Sequence, residues 1–428
     1  MKHPFFIGID RSDQSLDICQ LDSSGEHIDQ LKISTAPEIL LPWVKQLSSH
    51  ISDGQTIALC VEQPCQNLIS FFCQFEEFSI YPINPVVIKR YRESLSASRA
   101  KDDRRDAQTL ARFIYERHRT LEPHTITDPL AHQIATLVEK RRQLVDIRTS
   151  LSNKLIQALK DYYPQAFQLV GRDLFAPLAI ALLTKWPTLQ AIQKARPGTI
   201  SQFYYKQGSR RPKVIEKRLH LIKNAVALCT NPDLLETYQL LVTSLVDQLK
   251  QIQKSILRFD ALIESKKIKH PDAKLFSSLP GAGPCFAARL LAIFGNDRDR
   301  YHDAASLQRH TGVAPLTKQS GKMHFVHRRY ACNKFWRQTF VEWTAQTIMK
   351  SLWAKAYYYQ QKEKGHRHQS ILRSLAFKWQ RILFRCWQNR ECYDEKRYLQ
   401  ALEARSSPLL KTITKIRKTY PKLSEQFS

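Results

Sequence analysis

From Leu235 onward, apolar residues recur at alternating spacings of three and four: Leu235, Tyr238, Val242, Leu245, Leu249, Ile252, Ile256, Phe259 and Ile263. Such a run, unbroken by a polar residue over its heptads, specifies a long helix with a continuous apolar seam. The seam has to be covered, either by an antiparallel helix of the same chain or by a second copy, and it predicts at least a dimer through this helix. A weaker run lies upstream at Leu130, Ile134, Leu137, Arg141, Leu144, Arg148, Leu151 and Leu155, with arginine at two of its seam positions.

The segment before these helices has a different texture. PFFIGID and SLDICQLD read as two strands joined by a short polar turn, with HIDQLKIS as a third. A helix follows around 37–49, then the buried-strand run QTIALCVE, a helix over about 66–76, and a short strand SIYPINP. Residues 103–119 form an amphipathic helix. The expected fold class is α/β plus α: a mixed sheet with helices at the head, then helical domains. The organisation expected is 1–125 as the sheet domain, 126–268 as the long-helix region, and 269–428 as a basic, mainly helical domain. Within the last, KLFSSLPGAGPCFAARLLAIFG reads as helix, glycine-rich turn and helix, and TKQSGKMHF as a polar loop.

Charge separates these parts. The chain carries a net +27 over 428 residues, yet residues 1–120 hold 14 Lys and Arg against 16 Asp and Glu, whereas residues 321–428 hold 23 against 7. A near-neutral head on a basic body points to a polyanionic partner, nucleic acid above all. No stretch approaches the roughly 20 apolar residues of a membrane helix, and the apolar run at the N-terminus breaks at Asp10. The nine cysteines are scattered without a C-x-x-C pair, which fits reduced thiols in a cytoplasmic protein rather than a zinc site or a disulfide framework.

Two acids end strand signals: Asp10 after Phe5–Ile9, and Glu62 after Ile57–Val61. Asp103 and Asp106, three apart at the start of a helix, share a face. Carboxylates gathered at a sheet end repel one another and call for cations, and hard oxygen donors suit Mg²⁺ or Mn²⁺. Two such ions can activate an attacking oxygen and stabilise a leaving one. Taken singly, each acid has a plainer role. Asp10 can open a turn, Glu62 can be a solvated strand end, and Asp102, Asp103 and Asp106 can be helix-start charges or partners of Arg104 and Arg105.

The order of these acids, with Asp-x-x-Asp-Ala in Ala100–Ala107, resembles the RuvC-like domain of DEDD insertion-sequence transposases, the insertion-sequence one-ten family. Further motifs follow in the family's order: Leu279-Pro280-Gly281-Ala282-Gly283-Pro284, Gly312-Val313-Ala314-Pro315 with Gln319-Ser320-Gly321-Lys322, and Ala356-Tyr357-Tyr358 with Lys364-Gly365. The resemblance spans roughly 1–120 and 270–390. It departs at Arg329-Tyr330-Ala331-Cys332-Asn333, where the family has glycine, and Asp102 stands where the family has a small polar residue.

The resemblance implies an RNA-guided DNA recombinase, in which a structured bridge RNA pairs with donor and target DNA. It implies Ser320 as the nucleophile that forms a phosphoserine link, beside a Mg²⁺ site of Asp10, Glu62, Asp103 and Asp106. It also implies a homodimer assembling into a tetramer, with the site built between protomers. On its own chemistry Ser320 is plausible: Lys318 and Lys322 flank it and Gly321 lets a phosphate approach, with Thr317 the competing hydroxyl. Expected nucleic-acid contacts are Gly281 and Gly283 of the glycine turn, Lys318, Lys322, Arg328, Arg329 and Arg337. Two other functions compete: a RuvC-like nuclease that hydrolyses DNA without a covalent serine intermediate, and a non-catalytic nucleic-acid-binding protein.

Overall fold

A computed structural model describes residues 3–63, 65–95, 103–124, 128–321, 323–330 and 332–419, with only the backbone described at Gln66 and Asp103. The chain divides into two compact units: residues up to Pro129 with Pro315–Cys332, and Leu130–Ala314 with residues from Asn333 onward.

The first unit is built on a five-stranded sheet: β1 (Phe6–Arg11), β2 (Ser15–Leu21), β3 (His27–Ser34), β4 (Ile57–Glu62) and β5 (Phe78–Ile83), in the order β3-β2-β1-β4-β5. β1 pairs antiparallel with β2 and parallel with β4, so it is the point at which the sheet changes direction. Each strand the sequence signals is present. Alternation sorts the sheet into two faces. Ile7, Ile9, Ile57, Leu59 and Val61 enter one core with α1 (Pro37–Ser48) and α2 (Gln66–Phe72). Phe6, Cys19, Ala58 and Cys60 enter the other with α4 (Asp103–Arg117). A further helix, α3 (Pro85–Leu95), follows β5 where the sequence reading had only a strand ended by prolines; Pro85 takes the first helical position, where its missing N–H costs nothing.

Small residues line the α4 face, and the smallest sets the spacing. A Cβ on Gly8 would overlap the carbonyl oxygen of Ala107 and the amide nitrogen of Ala111, and lie 2.8 Å from Leu110 Cβ. α4 therefore rests directly on β1. It runs against the strand direction: Tyr115 and His118 meet Phe6 at 5.3 and 4.9 Å between ring centroids, and Ala107 lies over Gly8. The N-terminus of α4 consequently reaches the end of β1 where Asp10 stands.

In the second unit, α5 (Pro129–Tyr162) and the helix Pro232–Lys267 run antiparallel. Arg141 makes a bidentate pair with Asp260, at 2.5 and 3.1 Å, and Arg148 donates to Gln253 at 3.0 Å. Seven residues forward on one helix match seven back on the other, so these pairs fix the register. The arginines that interrupt the weaker heptad run are thereby explained. Val242, Leu245, Leu249, Ile256 and Ile263 are buried inside this one chain, so the seam is used internally and offers no free surface for a second copy.

The helices between residues 166 and 224 pack around Trp186, Phe203 and Tyr204 against the facing parts of the two long helices. Those from Ala273 onward enclose an aromatic core of Trp343, Trp353, Trp379 and Trp387 with Phe276, Phe294 and Phe340. Each indole N–H is satisfied, to Pro280 O, Tyr393 OH, Thr347 Oγ1 and Gly295 O respectively, as buried tryptophan requires. The aromatic residues scattered through the basic C-terminal stretch thus divide, with Trp379 wholly interior and Trp336 and Tyr357 partly covered. No helix among the described residues is long and apolar enough to cross a membrane.

The close approach at Gly8 gives a first prediction. Gly8→Val should destabilise the sheet unit by about 3 kcal/mol or more, the upper range for overpacking, measured as a lowered denaturant midpoint. An unchanged midpoint would mean that α4 does not rest on β1.

Candidate active site

Asp10 and Glu62 extend β1 and β4 one residue beyond the paired Ile9 and Val61. Neighbouring strands lie about 4.8 Å apart, so the two carboxylates stand side by side. Both continue the alternation of Gly8 and of Ala58–Cys60, and so both face α4. Each is half-buried. The start of α4 arrives over them, bringing the positive end of the helix dipole toward the acids. Asp106 is half-buried in the first turn and accepts from Arg92 Nη1 of α3 at 2.5 Å. Asp103 begins the helix, but its side chain, like all of Asp102, lies outside the described residues.

One further acid belongs here, and sequence reasoning missed it. Asp17 of β2 is the cross-strand partner of Asp10, which places their Cβ atoms about 4.5–5.5 Å apart on one face. It is buried, and Lys32 Nζ of β3 lies 3.1 Å from its Oδ2, offsetting the charge. The signal was the even spacing of Asp17 and Cys19 in SLDICQL, which sends both to the α4 side. Cys60, by contrast, is buried, and burial, then the charge of Glu62, push its thiol up.

The donor types at this sheet end are those that take Mg²⁺ or Mn²⁺. Among the described residues, no three His, Cys, Asp or Glu side chains converge closely enough to hold an ion. Asp106 is turned to Arg92, and the remaining candidate, Asp103, is described only in its backbone.

Ser320 lies elsewhere, on a two-stranded hairpin of β6 (Leu316–Ser320) and β7 (Met323–His327), where the sequence suggested a polar loop. The last cross-strand pair is Ser320 with Met323, leaving a two-residue turn. Gly321 supplies the positive φ, +55°, that such turns need, and a Cβ there would meet nothing within 4 Å. Lys322 falls outside the described residues. Every residue of both strands is exposed. Pairing assigns Leu316, Lys318, Ser320, Met323, Phe325 and His327 to one face, and Thr317, Gln319, His324 and Val326 to the other. Thr317 is thus turned away from the side Ser320 occupies.

The expected nucleic-acid contacts separate by environment. Lys318 and Arg328 are exposed, Arg329 is half-buried, and Arg337 is buried in the helix Lys334–Thr347. In the glycine turn, Gly281 has φ +70° and packs so closely on Gln346 that a Cβ would lie 2.9 Å from Gln346 Cβ. Gly283, φ +53°, faces open space. Gly281 therefore serves packing within the protein, while Gly283 remains open to a ligand.

Residues 7–164 match the DEDD domain of IS110-type elements, described as "Transposase", and residues 273–359 match "Transposase IS116/IS110/IS902 family". The chain is an insertion-sequence transposase of the IS110 family. The mini-circle putative transposase for IS117 of Streptomyces coelicolor is 28% identical over 399 residues, covering 92% of this chain and 96% of that protein. The insertion element IS110 uncharacterized 43.6 kDa protein of the same organism is 24% identical, covering 73% and 76%. The insertion element IS900 uncharacterized 42 kDa protein of Mycobacterium paratuberculosis is 24% identical, covering 64% and 68%. Both acidic strand ends and α4 fall within the first match, and Ser320 within the second.

The Asp17–Lys32 pair can be tested directly. Lys32→Met should leave a buried carboxylate opposite Asp10 and cost about 1–3 kcal/mol, whereas adding Asp17→Asn should recover part of that loss. Equal stability of wild type and Lys32→Met would show that Asp17 does not depend on Lys32.

Proposed function

We propose that this transposase is an RNA-guided recombinase that cuts and rejoins DNA through a covalent link to Ser320, assisted by a divalent ion at Asp10, Glu62, Asp103 and Asp106. The observation that carries the reading is the hairpin. Ser320 stands beside a glycine turn at the tip of a fully exposed ribbon, with Lys318 on its own face and Thr317 on the other. Among the described residues, nothing lies within 4 Å of where a Cβ on Gly321 would stand, which leaves room for a phosphodiester, and the lysine ammonium favours the anion there. Ser320 Oγ would form a bond to phosphorus as a DNA oxygen leaves, and the reverse attack by a DNA hydroxyl would regenerate the serine. When bound, Mg²⁺ or Mn²⁺ would activate the attacking oxygen and stabilise the leaving one.

For an ion to be held, Asp106 must exchange Arg92 for it, and Asp17 must stay paired with Lys32 so that it adds no further repulsion. We assign the basic helical region to DNA and to a bridge RNA, and residues 1–125, 126–268 and 269–428 to metal binding, assembly and strand transfer in a cytoplasmic homodimer that pairs into a tetramer. Because the heptad seam is used internally, that assembly would rest on other surfaces.

The test is a recombination assay between donor and target plasmids with the element's own flanking sequence supplied. Ser320→Ala should lower recombination by roughly 10³-fold or more, as loss of a nucleophile does, while Thr317→Ala leaves it near wild type. Persistent metal-dependent cutting by Ser320→Ala would favour the hydrolytic nuclease. Separately, Asp10→Asn should abolish Mn²⁺ binding measured by calorimetry; full Mn²⁺ affinity in that variant would remove Asp10 from the site. Protein purified with its native locus should carry a discrete element-derived RNA, and its absence would contradict RNA guidance.

A further inference from the structure

The hairpin that carries Ser320 has a second property that nucleophilic attack does not use. A two-stranded ribbon has no core of its own and is marginal in water. Here it nonetheless holds large apolar groups in solvent: Met323 at 59%, Phe325 at 51% and Leu316 at 38% exposure, all on the Ser320 face. Phe325 and His327, two apart on β7, have ring centroids 6.0 Å apart and planes only 28° from parallel. Lys318 is the cross-strand partner of Phe325. The face therefore joins flat aromatic surface, a cation and a hydroxyl within a few residues.

We propose that Phe325 and His327 form a stacking platform for an unpaired DNA base beside the phosphate that Ser320 engages, with Lys318 neutralising a neighbouring phosphate. The proposal rests on the Ser320 reading given above. Charge selects the occupant. From Pro315 to Tyr330 the chain has Lys318, Lys322, Arg328, Arg329 and two histidines but no Asp or Glu. A second copy of the hairpin would set like charge against like, whereas a polyanion is complementary. The aromatic faces select the strandedness, because bases stacked inside a duplex present only their edges, and an unpaired base presents a π-face. Geometry sets the spacing. Phe325 lies diagonally across the ribbon from Ser320, at about 7–8 Å, within the reach of one nucleotide. A base held there would order the strand at the cut and keep it from re-pairing. Arg328, whose guanidinium lies 5.9 Å from the Tyr330 ring centroid, continues the same alternation of cation and ring beyond β7.

The experiment uses the full chain in a Ser320→Ala background, so that binding is read without cleavage. The probes are a short single-stranded DNA of mixed sequence carrying 2-aminopurine, the same sequence as a duplex, and the same single strand as RNA. They are titrated at high salt, where phosphate contacts are weakened. Phe325→Ala should bind the single-stranded DNA about 5- to 150-fold more weakly, the range for loss of one stacked base, and lose 2-aminopurine quenching. Duplex affinity should be unchanged. Phe325→Trp should retain binding and Phe325→Leu should not, which separates a ring from mere apolar bulk. Val326→Ala, on the opposite face, should bind as the parent does.

Equal single-strand affinity in Phe325→Ala and its parent would overturn the platform. So would an equal loss of duplex binding, a quenching response to RNA but not to DNA, or a change in molecular mass with DNA binding intact. With Ser320 restored, a Phe325→Ala chain that still recombines at saturating DNA, but needs more DNA to do so, supports the platform. A chain whose Ser320→Ala variant recombines normally while Phe325→Ala still loses single-strand binding would refute the nucleophile and leave the platform standing.

Discussion

The contact on which the sheet unit depends is between two backbones. Gly8 has no Cβ, so α4 can lie on β1 at a distance that any larger residue would forbid. Because α4 runs against the strand, this contact also decides what arrives at the sheet's carboxyl end: the first turn of a helix with its aspartates and its positive dipole end, directly above two strand-terminal acids. Asp10 and Glu62 are adjacent because β1 and β4 are parallel neighbours in register, and they share a face because that register keeps the pleat in phase. Without that close approach, the first turn of α4 would not be held at the strand ends that carry Asp10 and Glu62.

Charge balance at that end is managed by cations from elements outside the acidic set. Arg92 of α3 takes Asp106, and Lys32 of β3 takes Asp17. Each pairing offsets one negative charge at that end of the sheet. Under the proposed mechanism, a divalent ion would have to displace Arg92 from Asp106.

Much of this was legible in the sequence. The short apolar runs FFIGID and IALCVE placed Asp10 and Glu62 at strand ends, and the helix beginning at Asp103 was readable from its amphipathic spacing. The pairing partners were not, because Arg92 and Lys32 reach the site through tertiary packing and lie near no motif. α3 itself escaped notice behind Pro85. The long seam was legible as a seam, but its partner helix was disguised by Arg141 and Arg148, whose polarity makes sense only beside Asp260 and Gln253. In the hairpin, the short alternation around Gly321 reads as a polar loop until cross-strand pairing assigns each residue a face.

In the proposed mechanism, the Oγ of Ser320, far along the chain from the acids, is the atom that bonds to DNA. The most direct measurement incubates the protein with nicked donor DNA and divalent ion, digests both, and reads the crosslinked peptide by mass spectrometry. A nucleotide should be attached through phosphate to the peptide bearing Ser320, absent from Ser320→Ala and retained in Thr317→Ala. A nucleotide on Thr317 or on any other residue, or cleaved DNA with no peptide attached, would contradict the mechanism.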